Sequence, residues 1–193
     1  NPQIDKCVHI IGREVDRADD IITELMTFAQ VKEPVLCTTD LGEVIEDCLS
    51  SVQADSGLKI LRELAPVPVT AMADRDLLYR VFMNLINNAR EAMPDGGRLT
   101  VSTRNADEFT ETRFKDNGTG ITEENIKNIF DPLFTTKIKG TGFGLSICKD
   151  VVSAHGGTIE VANNPEEDGG VTFTVKIPRI VDEPLFPLTG LEP

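Results

Sequence analysis

From residue 4 to residue 29, apolar and small positions fall at Ile4, Val8, Ile11, Val15, Ala18, Ile22, Leu25 and Ala29, separated alternately by four and three residues. That spacing is the narrow seam of a helix in a coiled coil or helical bundle, and it predicts one helix over residues 1–30. Pro2 is acceptable in its first turn, where a missing N–H costs nothing. Arg13, Glu14, Asp16, Arg17, Asp19 and Asp20 lie off the seam. Such a helix cannot bury its stripe alone and needs partner helices.

After a connector from Val31 to Thr39 that contains Pro34, the periods shorten and mix into a compact α/β pattern. Leu41 to Val52 reads as a helix capped by Asp40, and Asp74 to Met93 as a longer one stopped by Pro94-Asp95-Gly96-Gly97. Strands are expected at Leu58 to Leu64, Val69 to Ala73, Leu99 to Arg104, Thr112 to Lys115, Thr158 to Ala162 and Val171 to Ile177. Two further helices are expected, Thr122 to Ile129 with Thr122 as its cap, and Phe143 to Ala154. A polar loop from Asp131 to Gly142 separates them. From Arg179 the chain is rich in Pro and acid and reads as a tail or linker.

Composition narrows the partners. The 193 residues suit one domain of ordinary size plus an appendage, and 40% hydrophobic content supports a core. Lys and Arg total 19 against 32 acids, a net charge of −13, so no broad surface for nucleic acid or anionic membrane is expected. No apolar run approaches the roughly 20 residues of a membrane span, and no secretory signal opens the chain. The expected location is therefore the cytoplasm. The helical pattern is already running at residue 1, as in a piece of a larger protein, whose upstream part could carry a membrane anchor. Cys7, Cys37, Cys48 and Cys148 have no zinc spacing and read as reduced thiols.

Three ordered patterns carry the chemistry. On the long helix, at about 100° per residue, Asn84, Asn88 and Glu91 fall within roughly 60° of one another beside the apolar face of Leu78, Phe82, Leu85, Ala89 and Ala92. Asparagine is a poor helix former, so Asn84, Asn87 and Asn88 together ask for a reason. They either solvate the helix or offer a carbonyl oxygen to a hard cation such as magnesium. Asp116-Asn117-Gly118-Thr119-Gly120 follows a strand. It is either a plain turn or one whose carboxylate accepts from the exocyclic amine of adenine. Gly140, Gly142 and Gly144 open an apolar helix, whose N-terminal amides suit phosphate oxygens. Neither the P-loop nor the dinucleotide fingerprint is present. Lys137 and Lys139, just upstream, are either solvated lysines or partners of a γ-phosphate.

The ordered set resembles the ATP-binding domain of sensor histidine kinases, in the superfamily shared with DNA gyrase and mismatch-repair ATPases. The N box is Asn84 to Ala92, the first glycine box Asp116 to Gly120, the F box Phe130 to Lys137 and the second glycine box Gly140 to Gly144. His155-Gly156-Gly157 and the closing strand Gly169 to Pro178 also match. The likeness covers roughly residues 35–178, and the short spacing from F box to glycine box is similar to that of nitrogen-regulation-type kinases.

This resemblance implies an α+β fold: a two-layer α/β sandwich, its mixed, mainly antiparallel sheet covered by helices on one face, preceded by one long coiled-coil-type helix. Residues 1–30 would be the second helix of a dimerising, phosphoacceptor hairpin whose first helix is absent. Residues 31–178 would be the ATP-binding catalytic domain, and 179–193 a tail or linker. Asn88 would be the magnesium ligand, and Asn84 would lie near the phosphates. Asp116 would contact adenine in a pocket shaped by Gly118 and Gly120. Asp131 to Lys139 would be the ATP lid. Ile121, Phe130, Thr136, Lys137, Gly140, Thr141, Gly142, Phe143, Gly144 and Leu145 would also line the nucleotide site, with Asn84 and Lys137 in catalytic roles. Val171 stands where the family often has a Thr near adenine. Hydrolytic relatives carry a Glu base at the position of Asn84, and an amide cannot take a proton from water at neutral pH, so transfer rather than hydrolysis is expected.

The implied activity is phosphoryl transfer from Mg-ATP to a His on a partner helix, then relay to a response regulator receiver domain, with homodimerisation through the N-terminal helix. His9 lies off the seam and lacks the H-E-x-x-N-P context of an acceptor. A nucleotide-gated, non-enzymatic interaction module of the same fold is the alternative.

Overall fold

A computed structural model describes residues 4, 6–8, 11–12, 15, 33–52, 57–137 and 140–180. Most of the expected first helix lies outside the described residues, as do Ile138, Lys139 and residues 181–193. Ile4, Val8, Ile11 and Val15 of its seam are helical and exposed.

The chain runs β1 (Cys37–Asp40), α1 (Leu41–Ser51), β2 (Leu58–Glu63), β3 (Thr70–Ala73), α2 (Arg75–Glu91), β4 (Gly97–Ala106), β5 (Phe109–Asp116), α3 (Glu123–Ile126), α4 (Gly144–Ala154), β6 (Thr158–Asn163) and β7 (Val171–Pro178). Five strands form one sheet in the order β2-β4-β5-β7-β6, while β1 pairs with β3 in a two-stranded ribbon. Only β2 and β4 of the main sheet run parallel, in register at Ile60 and Leu99; the other three pairings are antiparallel. The mixed, mainly antiparallel α+β sandwich implied by the motifs is therefore what the chain forms.

The sheet's two faces follow from alternation. Leu99, Val101, Phe114, Val171, Phe173, Val175 and Ile177 point inward and are buried. They meet Leu78, Val81, Phe82, Leu85, Ile86 and Ala89 of α2, with the Phe82 and Phe114 rings tilted at 5.4 Å between centroids. Burying a side chain of this size stabilises the domain by about 1.5–3 kcal/mol. The opposite face carries ion pairs instead: Glu111 between Arg104 and Arg113, Lys115 with Asp168, and Lys176 with Glu160.

Three differences from the expected elements have physical causes. The connector expected through Thr39 ends in strand β1, whose C-T-T-D sequence lacks apolar alternation and whose order comes from pairing with β3. The β4–β5 hairpin is longer than expected because it turns tightly at Asp107-Glu108, joining Ala106 to Phe109. The helix capped by Thr122 makes only one turn, because i→i−3 bonds from Asn128 and Asp131 replace the helical ladder beyond it. Arg179 and Ile180 continue beside β3, with the Ile180 amide reaching Thr70 at 3.5 Å.

Asp74 ties the elements around the site together. Its Oδ1 caps α2 by accepting from the amides of Asp76 and Leu77, each at 3.1 Å, and its Oδ2 accepts from the Val35 amide at 3.0 Å. Its own amide donates to Nε2 of buried His155 at 2.9 Å, while Nδ1 of that ring meets the Val151 carbonyl at 2.7 Å. Neutral imidazole, protonated on Nδ1, satisfies both bonds. His155 thus fastens the end of α4 to the start of α2. Replacing it by Ala leaves the Asp74 amide without its acceptor. His155→Ala should lower unfolding free energy by about 1–3 kcal/mol in urea titrations; an unchanged midpoint would deny the latch its role.

Candidate functional site

Three segments meet along one stripe of α2. Near its middle, Gly144, the first residue of α4, lies so close to Asn84 that a Cβ there would fall 2.7 Å from the Asn84 amide nitrogen. One turn on, Lys137 of the polar loop donates from Nζ to Asn88 Oδ1 at 2.7 Å and also pairs with Glu91. At the helix end, a Cβ on Gly118 would fall 2.7 Å from the Ala92 carbonyl. The N box is thus touched in turn by the second glycine box, the F-box lysine and the first glycine box.

The amides on this stripe are linked. Asn88 Nδ2 donates to Asn84 Oδ1 at 3.4 Å, and Asn84 Nδ2 donates to Cys148 Sγ at 3.2 Å. Burial pushes the Cys148 thiol up to about 12, partly offset by the Asn84 bond, so the sulfur is a neutral thiol at neutral pH.

Asp116 ends β5 almost fully buried. Its Oδ1 accepts from the amides of Gly118 at 2.9 Å and Val171 at 3.3 Å, and among the described residues no donor reaches Oδ2. Burial pushes its carboxyl above the usual carboxylate range, against the pull of those backbone donors. The turn is pinned from outside by two asparagines at the end of β6. Asn163 accepts from the Ile121 amide at 2.9 Å and donates to the Ile121 carbonyl at 2.6 Å. Asn164 Nδ2 donates at 2.7 Å to the carbonyls of both Asp116 and Gly169.

The helix starts differ in kind. Side chains of Asp40, Asp74 and Thr122 cap α1, α2 and α3, whereas no side chain caps α4 and no acid occupies its first turn. A helix start with neither a side-chain cap nor an acid suits an anion, and the Phe143 amide just before it donates to Thr141 Oγ1 at 3.4 Å.

Asn84, Asn88, Lys137, Gly118 and Gly144 come together along α2, while the other expected residues are placed by their own segments. Gly120 and Gly142 sit at φ +73° and +78°, Phe143 is buried at the start of α4, and Leu145 and Phe130 are half-buried against the core. Thr136 is exposed beside Lys137, while Gly140 and Thr141 lie in the half-buried entry to α4. The sequence reading left out Cys148, Asn163 and Asn164. The two asparagines look like ordinary turn residues and the cysteine like core, because their partners lie 42 to 64 positions away. Two open depressions of about 530 and 640 Å³ lie elsewhere, one between α1 and the β2–β3 loop and one by the β4–β5 turn.

Comparison with known proteins agrees with this geometry. Residues 73–180 match the family described as histidine kinase-, DNA gyrase B-, and HSP90-like ATPase. Sporulation kinase A of Bacillus subtilis (strain 168) is 34% identical over 176 residues, covering 88% of this chain and 28% of that protein. Sensor histidine kinase ZraS of Klebsiella oxytoca is 33% identical over 173 residues, covering 88% of this chain and 37% of that one. The chain thus spans only 28% and 37% of the lengths of these two relatives. The catalytic domain of histidine kinase ThkA superposes with a TM-score of 0.68 at 30% identity, covering 75% of this chain and 95% of that domain. ThkA solved in complex with response regulator protein TrrA gives a TM-score of 0.74 at 27% identity, covering 88% of this chain and 49% of that one.

A one-sided mixed sandwich with an amide-bearing helix between two glycine turns defines an ATP-binding domain of the gyrase and histidine-kinase kind. The chain belongs to the histidine kinase-, DNA gyrase B-, and HSP90-like ATPase family, and the solved structures it resembles include the catalytic domain of a histidine kinase.

Asp116 yields a prediction with opposite signs for folding and binding. Its raised folded pKa means the native state holds more protons than the unfolded state between the ordinary and the raised value. Stability therefore falls as pH rises through that window. Asn keeps an oxygen for the Gly118 and Val171 amides but carries no charge. Asp116→Asn should raise the urea midpoint at neutral pH, and should flatten its decline with pH above the usual carboxylate range. A variant less stable than the parent would contradict the assigned cost.

Proposed function

We propose that this chain is the catalytic part of a two-component protein-histidine kinase. In this reading it binds Mg-ATP and transfers the γ-phosphoryl group to a His on a partner helix, for relay to a response regulator receiver domain. The observation that carries the reading is Asn84. The residue beside the uncapped start of α4 is an amide, anchored to Cys148 and Asn88, where hydrolysis would need a carboxylate base. The nearby carboxylate, Glu91, is engaged by Lys137. Such a site favours transfer by positioning and electrostatics over activation of water.

The residues fit magnesium. Asn88 Oδ1 and Glu91 already face a cation, the Lys137 ammonium, and magnesium usually takes only one or two protein oxygens beside phosphates and water. Asn88 would hold the ion, which when bound neutralises phosphate charge. Asp116 would read adenine through Oδ2, beside Gly118, Gly120 and Ile121. The N-terminus of α4, with Gly140, Thr141, Gly142, Phe143, Gly144 and Leu145, would receive phosphates, and Lys137 the γ-phosphate. Phe130 and Thr136 would complete the lid side.

The acceptor lies on another helix. His155 is buried with both ring nitrogens bonded, and His9 lies outside the described residues and lacks an acceptor context. The exposed seam from Ile4 to Val15 suits pairing with such a helix in a homodimer. Residues 1–30 would then be the second helix of the hairpin, 31–178 the catalytic domain, and 179–193 a tail or linker whose first two residues lie beside β3. Use of ATP and the four free cysteines fit the cytoplasm, and no helix among the described residues is long and apolar enough to cross a membrane.

Calorimetry should show Mg-ATP preferred over Mg-GTP, and Asp116→Asn should weaken ATP binding by about 1–3 kcal/mol, the scale of a lost charge-assisted bond. Equal affinities for the two nucleotides would defeat the adenine assignment. Labelled ATP should leave the isolated chain essentially unphosphorylated, yet deliver acid-labile label to a chain that also carries the acceptor hairpin. Steady phosphate release without acceptor labelling would instead indicate a hydrolase, and binding without transfer a nucleotide-gated module.

A further inference from the structure

The hydrogen bonds on the α2 stripe all point one way. Lys137 Nζ can only donate, so the atom it meets on Asn88 is the carbonyl oxygen. This turns Asn88 Nδ2 toward Asn84 Oδ1, which in turn aims Asn84 Nδ2 at Cys148 Sγ. The thiol completes the run by facing the Val81 carbonyl, at 3.8 Å. Gly144 closes the remaining side of the Asn84 amide, leaving it clamped between the start of α4 and the sulfur. Cys148 is 1% exposed, so no water can take its place as acceptor.

We infer that Cys148 is a positioning residue of the nucleotide site, whose sulfur fixes the Asn84 amide and through it keeps the Asn88 carbonyl oxygen turned outward to the cation. This rests on the Mg-nucleotide reading above. Without an acceptor at position 148, the Asn84 amide loses its anchor and can flip. Asn88 Nδ2 then faces another N–H instead of an oxygen, and its carbonyl is no longer held toward the ion. The thiol does both jobs in this run: a sulfur lone pair accepts while its S–H faces Val81. A serine hydroxyl can do the same, whereas alanine can do neither.

The test is ADP binding by calorimetry with and without magnesium, in the parent chain, Cys148→Ala and Cys148→Ser. ADP omits the γ-phosphate that Lys137 would contact, so the readout is the ratio of the magnesium-free to the magnesium-bound Kd. Cys148→Ala should shrink that ratio about threefold to tenfold, as expected for one lost orienting bond, with magnesium-free affinity within about twofold of the parent. Cys148→Ser should restore the ratio. A simple cavity effect would weaken both conditions alike and leave the ratio unmoved, which overturns the inference. An unchanged Cys148→Ala, or a Cys148→Ser that behaves like it, also overturns the inference while leaving the Mg-nucleotide reading intact. A parent chain that binds ADP equally with and without magnesium overturns the magnesium assignment itself, and this inference with it.

Discussion

Two backbone segments press against helix α2 at places where a side chain would hold them off. Gly144 lies against Asn84 and Gly118 against the Ala92 carbonyl, each with no room for a Cβ. Everything else about the site depends on these approaches. They bring the start of α4 and the turn after β5 to opposite ends of one polar stripe, so the stripe between them forms the floor of the site. The apolar side of the same helix is held against β4 and β5 by Phe82, Leu85 and their neighbours. Packing and chemistry therefore share one rigid element, and a functional stripe set on such an element is held more closely than one carried by loops.

The site must hold a polyanion on a chain of net charge −13. Long-range attraction cannot supply this, since the overall field is repulsive and is screened within about 8 Å at physiological salt. Local sources supply it instead. The α4 start has neither a side-chain cap nor an acid, and Lys137, though exposed, is drawn to Asn88 and Glu91. Glu91 has a double effect. It holds the lysine at the stripe, and it adds to the oxygen lining that a divalent cation would meet.

Asp116 shows the cost of such a site. Its carboxylate is buried and receives two backbone donors on one oxygen, while the other meets no described donor. Burying a charge with half its acceptor capacity unmet is unfavourable for folding, which is the sense of its raised pKa. The surroundings hold it in place all the same. Asn163 and Asn164 lock the turn on both sides, and Lys115 pairs with Asp168 in the same strand-to-turn region. The stability given up at the carboxylate is offset by a rigid frame around it.

The helices, most strands and the four boxes were legible in the chain because they rest on local rules. Apolar periodicity shows which face of α2 is buried, Asp40 and Thr122 announce helix starts, and paired glycines mark turns that side chains would block. The resemblance carried by the boxes assigns Asn84, Asn88, Asp116 and Lys137 to one site. Strand β1 was not legible, because C-T-T-D is ordered only by its partner β3. Nor was the latch from His155 to Asp74, which spans 81 positions, or the link from Cys148 to Asn84, which spans 64. A pattern along the chain records what each residue prefers among its neighbours. Which distant atom answers a buried amide or thiol is settled only when α2, α4 and the sheet pack together, because burial then removes water as the alternative partner.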